Sequence, residues 1–349
     1  MTPRISIVMS VRDGMPYLPE AVASILGQTF GDFEFLIMDN ASKDGSAEWV
    51  ETLDDPRIRL VRNGADLGLS GSLNRGFDLA CGEYIARMDA DDISPPDRLA
   101  TQLAFMETHP DVAVCGGDAL TFSGNSYRPW PFPHGNDNVL ATLCFGVPLA
   151  HSSACYRASV LREHGLRYDE SLFLTQDWEM WRVMLLEKGL RIDNPAACVL
   201  HYRTQGQNLS EKRQDISTRE SRQILERIVR DIICPDATED ELVAHALCVA
   251  DAPCSAGELE ACYCWLFGKV LNTRRIAPES LRRMVANVWD RRIGTAGFLP
   301  LCRFMLHFPG MPEKQNTGRM LLQMAVALAK KPAKAARALY AFAADRLRK

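Results

Sequence analysis

The 349-residue chain has no apolar run near the roughly 20 residues that a membrane-spanning helix needs, so no stretch reads as a span. Basic charge is not in excess either. The formal net charge is −4, whereas a nucleic-acid binder presents a basic face to phosphate. The eleven cysteines are odd in number and contain no C-x-x-C pair. That pattern speaks against a disulfide framework and for reduced thiols in the cytoplasm. Cys254, Cys262 and Cys264 form the densest group, but C-x-C is a poor zinc spacing. The opening stretch, MTPRISIVMSV, lacks the length and the small-residue cleavage site of a signal peptide and reads as a first buried strand. No G-x-G-x-x-G follows that strand and no G-x-x-x-x-G-K-[ST] occurs, which speaks against dinucleotide and P-loop sites. Internal repeats and low-complexity tracts are also missing. What remains, at 47% hydrophobic and 24% charged residues, is the composition of a globular protein with room for one large domain and a smaller one.

Residues 1–115 alternate short apolar runs with helical spacing. Strands are expected at Ile5 to Ser10, Phe33 to Met38, Ile58 to Val61, Tyr84 to Met88 and Val112 to Cys115. Helices are expected at Tyr17 to Leu26, Ser46 to Leu53, Ser70 to Leu79 and Pro95 to Met106. The last of these would take Ser94 as N-cap, Pro95 as first helical residue and Asp97 at the capping-box position. Such an order implies right-handed crossovers, hence an α/β fold with a mostly parallel sheet flanked by helices. Residues 116–210 are less regular. Pro129 to Pro133 is expected to be a loop, followed by a strand at Ser153 to Tyr156, helices at Ala158 to His164 and Trp178 to Lys188, and a strand at Ala197 to Tyr202. From 211 to 349 the pattern is helical throughout.

Ligands of open parallel sheets bind beyond the carboxyl ends of the strands. Three of those ends carry acids here: Asp13 after the first strand, Asp39 at the second, and Asp89, Asp91 and Asp92 at the fourth. Carboxylates gathered on one rim repel unless something cationic or hydrogen-bonding lies among them. In Arg87-Met88-Asp89-Ala90-Asp91-Asp92, acids at i and i+2 can turn toward one hard, oxygen-seeking cation such as Mg²⁺ or Mn²⁺, which would be shared with phosphate oxygens.

Four ordered segments carry a resemblance. They are Ile7 to Gly14, Ile37 to Ser46, Asn74-Arg75-Gly76 with Ala80 to Ile85, and Met88 to Asp92. Over about residues 4 to 205 the chain resembles the family 2 glycosyltransferases, which have the GT-A, Rossmann-like fold. The resemblance implies a sugar-nucleotide half at 1–115, an acceptor half at 116–210 and a helical C-terminal extension at 211–349. It implies that Val11 and Asp13 border the base and ribose, that Asp39 hydrogen-bonds one of them, and that Asn74 and Arg75 contact the donor. Asp89, Ala90 and Asp91 would then face ribose and diphosphate, with Asp91 and Asp92 as ligands for Mn²⁺ or Mg²⁺. Residue-level alternatives stand beside these roles: an Asx-turn for Asp39 and an exposed helix arginine for Arg75. The family's second acid after Asp39 is Asn40 here.

A second group is Thr175-Gln176-Asp177-Trp178-Glu179-Met180-Trp181. Transfer with inversion needs a base for the acceptor hydroxyl, and a carboxylate also suits an oxocarbenium-like transition state. By the resemblance Asp177 is that base, although spacing alone also allows an N-cap aspartate with tryptophans in the core. The acid that usually precedes it is Gln176. Trp178 and Trp181 are candidates for the acceptor wall, and His151 for an acceptor or donor-sugar contact or for a hydrogen-bonded structural residue. His201 to Gln205 is similar to the family's Tyr-Arg-x-His element, with Gln205 in place of the histidine.

The expected activity is therefore an inverting, metal-dependent transfer from a nucleotide-diphosphate sugar, in first place a UDP-sugar. The acceptor would be a hydroxyl of a polysaccharide, lipopolysaccharide or other lipid-linked glycan. A nucleotidyltransferase would need a longer glycine-rich loop after strand one, and a two-metal hydrolase would need histidines near the acids. An inactive GT-A scaffold working through its helical C-terminus is the alternative that Gln176 and Gln205 support. Residues 314–349 hold nine Lys or Arg against one acid, Asp345, with Met320, Leu321, Met324 and Leu328 on one face and Leu339 and Phe342 beyond Pro332. Such a tail suits peripheral contact with the inner face of the cytoplasmic membrane or self-association.

Overall fold

The computed structural model describes residues 2–204, 213–250 and 253–295. The basic tail and Gln205 lie outside them. The chain divides into two compact units, residues 1–224 and 225–349, where the sequence suggested a boundary at 210.

The first unit carries a seven-stranded sheet. Its strands are β1 (Ile5–Val11), β2 (Phe33–Asp39), β3 (Ile58–Arg62), β4 (Tyr84–Asp89), β5 (Val112–Cys115), β8 (Cys155–Arg157) and β9 (Arg191–Asp193), in the order β3-β2-β1-β4-β8-β5-β9. β1 is parallel to β2 and β4, and β2 to β3. The side chains of β1 and β2 are apolar at nearly every position because helices cover both faces, so alternation would leave polar groups buried. One departure from the expected order is that β8 enters between β4 and β5 and runs antiparallel to both. A smaller sheet, β10-β6-β7, is made by β6 (Asp118–Ser123), β7 (Ser126–Trp130) and β10 (Cys198–Arg203).

The flanking helices are α1 (Leu18–Leu26), α2 (Ser46–Glu51), α3 (Gly68–Leu79), α4 (Arg98–Thr108), α5 (Asn136–Leu143), α6 (Ala158–Glu163) and α7 (Gln176–Arg182). Helix α8 (Gln214–Ile228) runs across the division after Ile224. In the second unit, α9 (Glu239–Val249) and α10 (Ala256–Gly268) each open with a capping box, Thr238 with Glu241 and Ser255 with Glu258. They pack with α11 (Pro278–Thr295) around Leu259, Trp265 and Trp289. No helix among the described residues is long and apolar enough to cross a membrane.

Three local expectations are corrected. Residues Pro129 and Trp130 belong to β7, with Pro129 opposite Leu120. β7 is an edge strand, and an edge tolerates a residue without an N–H. Helix α4 begins at Arg98, not Pro95, and Ser94 does not cap it. Gln28, at the end of α1, supplies the cap from a distance: its Oε1 accepts from the Leu99 N–H at 3.0 Å while its Nε2 donates to the Pro95 carbonyl at 2.6 Å. A long-range amide thus satisfies the orphan donor that a local serine usually serves. The helix expected from Trp178 to Lys188 starts earlier, at Gln176, and turns π-helical over Val183–Glu187.

Gly76 seats α3 directly on β1, where a Cβ would lie 2.4 Å from Val8 Cγ1. Overpacking of this kind costs about 1–3 kcal/mol. Gly76→Ala is expected to lower the unfolding free energy by that amount, read as a lower urea midpoint with the slope of the transition unchanged.

Candidate active site

The register of the sheet sets the acids at one level. Val11 pairs with Asp39 across β1 and β2, and Ser10 pairs with Asp89 across β1 and β4. The loops that follow are stitched together. Lys43 N donates to Asp13 Oδ1 at 2.7 Å, Asp13 N to Ser42 Oγ at 3.1 Å, and Met15 N to Asp44 Oδ2 at 2.8 Å. Asp13 takes a left-handed φ of 53° to do this. Asp39 is buried and accepts from Ser42 N at 3.2 Å, three residues on, a local loop contact one residue longer than the Asx-turn expected as the alternative. Next to it, Asn40 donates to Asp66 Oδ1 at 2.7 Å and accepts from Asn63 Nδ2 and Leu67 N. A carboxylate at 40 could accept those last two bonds but could make only repulsion with Asp66.

At the end of β4 the fully buried Arg87 forms an ion pair with Asp89. Asp89 N donates to Ser152 Oγ at 3.0 Å, which ties the motif to a short 3-10 turn at His151–Ser153. Arg203, on β10, donates from its backbone N to Asp92 Oδ1 at 2.9 Å and from Nε to the Asp91 carbonyl at 2.6 Å. Asp89, Asp91 and Asp92 can each offer a carboxylate oxygen, all within 4.8 Å of one another, and among the described residues no other such group of three exists. Crowding by protein, then the charge of Asp89, pushes the Asp91 carboxyl up to about 6. Burial and the same neighbours push Asp92 well above the usual carboxylate range. Asp92 Oδ2 is buried with no hydrogen-bond partner. An all-oxygen set with one unspent buried oxygen suits a hard divalent cation.

Helix α7 brings Asp177 into the same field. Burial raises its carboxyl to about 6, against the usual 3.8; the charge of Arg87 lowers it and that of Asp89 raises it further. Its Oδ1 accepts the N–H of Trp178 at 2.8 Å. Upstream of α7, Glu220 of α8 accepts from Phe173 N and Leu174 N, each at 2.9 Å, and so fixes the approach to the helix. The two tryptophans are core residues: Trp178 donates to the Leu143 carbonyl at 3.2 Å, and Trp181 stacks on Tyr156. Gln176 is buried and its Oε1 has no partner.

The other sequence candidates divide. Arg75 is exposed and donates to the Arg62 carbonyl at 3.2 Å. Asn74 is buried and spends its amide on one segment: Nδ2 donates to the Tyr168 carbonyl at 3.0 Å and Oδ1 accepts Tyr168 N at 2.9 Å. His151 bonds through Nε2 to the Tyr168 hydroxyl at 2.8 Å. Sequence reasoning passed over Arg87, Tyr168 and Arg203 as site residues. An arginine inside an apolar strand and the Tyr-Arg pair at 202–203 were signals for two of them. Tyr168 had none.

The comparisons agree with this geometry. A model described as glycosyl transferase family 2 matches residues 6–165. A Bacillus subtilis (strain 168) relative designated a glycosyltransferase, EpsE, is 32% identical over 199 residues, covering 54% of this chain and 69% of that protein. The chain belongs to glycosyl transferase family 2. The fold of this glycosyltransferase is shared with Staphylococcus aureus TarS, crystallised in complex with UDP-GlcNAc (TM-score 0.51, 14% identity, 95% of this chain and 82% of that one). It is shared also with a Pyrobaculum calidifontis mannosyltransferase in complex with GDP-Man and Mn²⁺ (TM-score 0.50, 18% identity, 99% and 81%).

A raised carboxyl binds its proton more tightly in the folded enzyme than in the unfolded chain. Below about pH 4 both states hold the proton and the group is neutral toward stability; above about pH 6 the buried charge destabilises. In metal-free enzyme, Asp177→Asn, which keeps an acceptor for Trp178 N, is therefore expected to raise the melting temperature. The gain should grow between pH 4 and 7 and level off above. A gain that did not vary with pH, followed by scanning fluorimetry, would show that Asp177 is not perturbed.

Proposed function

We propose that this family 2 glycosyltransferase moves a sugar, with inversion, from a UDP-sugar to a hydroxyl of a growing glycan, with Mn²⁺ or Mg²⁺ bound at Asp91 and Asp92. One observation carries the proposal: the Asp177 carboxylate is near enough to Arg87 and Asp89 for their charges to act on it, which supports its reading as the base beside the acid motif at the end of β4. Asp13 and Asp39, on the rim formed by the ends of β1 and β2, suit the ribose and base as acceptors of O–H and N–H donors. The complexes of TarS with UDP-GlcNAc and of the mannosyltransferase with GDP-Man support a nucleoside-diphosphate sugar. A divalent cation would offset the negative charge of the diphosphate and of the rim.

In the transfer, Asp177 takes the proton of the acceptor hydroxyl as its oxygen attacks the anomeric carbon, and the bond from that carbon to the diphosphate oxygen breaks. The electron pair leaves on the nucleoside diphosphate. A carboxyl at about 6 is ionised at neutral pH yet basic enough to accept a proton in the transition state. Arg87 holds the Asp89 carboxylate from behind and keeps the acid motif ordered.

Asp177→Asn is expected to lower the transfer rate by about 10²–10⁴, with the affinity for UDP measured by calorimetry unchanged. Full activity in that variant would remove Asp177 as the base. In a separate arm, Asp91→Ala and chelation are each expected to abolish turnover of the UDP-sugar. Activity indifferent to chelator would refute the metal, and a panel of nucleotide-sugars with no turnover at all would return the scaffold reading.

A further inference from the structure

Behind the acid motif lies a chain of three polar groups that the proposed mechanism does not use. The hydroxyls of Tyr156 and Tyr168 are 2.5 Å apart, and the Tyr168 hydroxyl is 2.8 Å from His151 Nε2. Both tyrosines are fully buried, and burial holds their phenols above the usual range, so each keeps its proton. Crowding by protein, with Arg87 nearby, holds the imidazole of His151 well below its usual range and keeps it neutral. The chain is built from distant parts of the sequence. Phe77 packs on both tyrosine rings, Trp181 stacks on Tyr156, and Asn74 clamps the backbone of Tyr168 at both N–H and carbonyl.

Proton accounting then fixes the direction of every bond. Among the described residues the Tyr156 hydroxyl has one partner, the Tyr168 oxygen. A buried hydroxyl proton left without an acceptor costs about 1–3 kcal/mol, so Tyr156 donates to Tyr168. Tyr168 must then turn its own proton to His151, whose Nε2 can accept only if it carries none. The imidazole proton is left on Nδ1, which has no partner among the described residues on a side chain that is partly exposed. The next residue, Ser152, is bonded to the backbone of Asp89.

We propose that Tyr156, Tyr168 and His151 form a proton-ordered chain that locks His151 as the neutral Nδ1–H tautomer and presents that N–H to an oxygen of the sugar-diphosphate donor. The tyrosines are positioning residues acting through His151. The donor part rests on the function proposed above; the tautomer does not.

The test starts with ¹⁵N-histidine-labelled full-length protein, without nucleotide, with His151 assigned by difference from His151→Asn. Long-range ¹⁵N–¹H spectra are expected to show a single neutral tautomer protonated on Nδ1. Tyr168→Phe, which removes the donor to Nε2, is expected to convert it to a mixture of tautomers, whereas Tyr156→Phe leaves His151 Nε2 as the acceptor for the Tyr168 proton and is expected to keep the Nδ1–H form. An Nε2–H tautomer in the wild type, or a tautomer insensitive to Tyr168→Phe, overturns the ordered chain whatever the enzyme transfers. Placing an amide N–H near Nδ1 (His151→Asn) is expected to retain about tenfold more kcat/KM for the donor than placing it near Nε2 (His151→Gln), a ratio worth about 1.4 kcal/mol. Equal kcat/KM in the two variants overturns the donor contact and leaves the tautomer result standing.

Discussion

The site depends on one imbalance of charge. Asp89, Asp91, Asp92 and Asp177 share a small region, and the fully buried guanidinium paired with an acid of the motif is Arg87. Burying an arginine costs several kcal/mol unless its charge is answered, and Asp89 answers it. For Asp91, Asp92 and Asp177, crowding by protein and the charge of neighbouring carboxylates outweigh the arginines, which is why all three sit above the usual range. A rim of this kind is uncomfortable on its own and becomes favourable only when a positive ion or a proton enters. The cost sits where the chemistry needs it.

The scaffold is arranged to hold that imbalance in place. Arg98, also fully buried, donates to the Arg87 carbonyl at 2.7 Å, and burial lowers its own pKa to about 10. Gln102 donates to the carbonyls of Gly116 and Ser153 at 2.8 and 2.7 Å, so α4 ties together the segments next to β5 and β8 on one side of β4. Arg203 closes the far side, taking Asp92 through its backbone and Asp91 through its side chain. Two segments distant in sequence, the turn at Ser152 and β10 at Arg203, thereby bond to Asp89, Asp91 and Asp92, while α4 supports the strand that delivers them.

How far this was legible in the sequence follows from the range of the forces involved. β1 to β4 were readable because strands buried on both faces are apolar throughout, and the acids stood out by closing two of those runs. β8 was read as a strand, but its direction and place between β4 and β5 were not, because three residues carry no record of their neighbours. The start of α4 was misread since its cap is Gln28, seventy-one residues from the Leu99 N–H it serves. Asp177 was found through the family pattern, whereas its proximity to Arg87 and Asp89 belongs to the fold alone. Tyr168 was illegible for the same reason: its backbone partner Asn74 is 94 residues away.

The two places where the chain departs from its family's acids make sense together. At 40, an amide replaces a carboxylate beside Asp66 and can donate to it, so the neutral side chain converts a repulsion into a hydrogen bond. At 176, a buried glutamine stands beside Asp177. A second carboxylate there would join a region already short of positive charge and drive the Asp177 pKa further above 6, into the range where a base is protonated at neutral pH. Gln176 removes that repulsion, at the cost of a buried Oε1 without a partner. Rather than signs of decay toward an inactive scaffold, both amides lower the negative charge of an overcharged rim. The carboxylate at 177 can then stay ionised with the charge of Arg87 to support it.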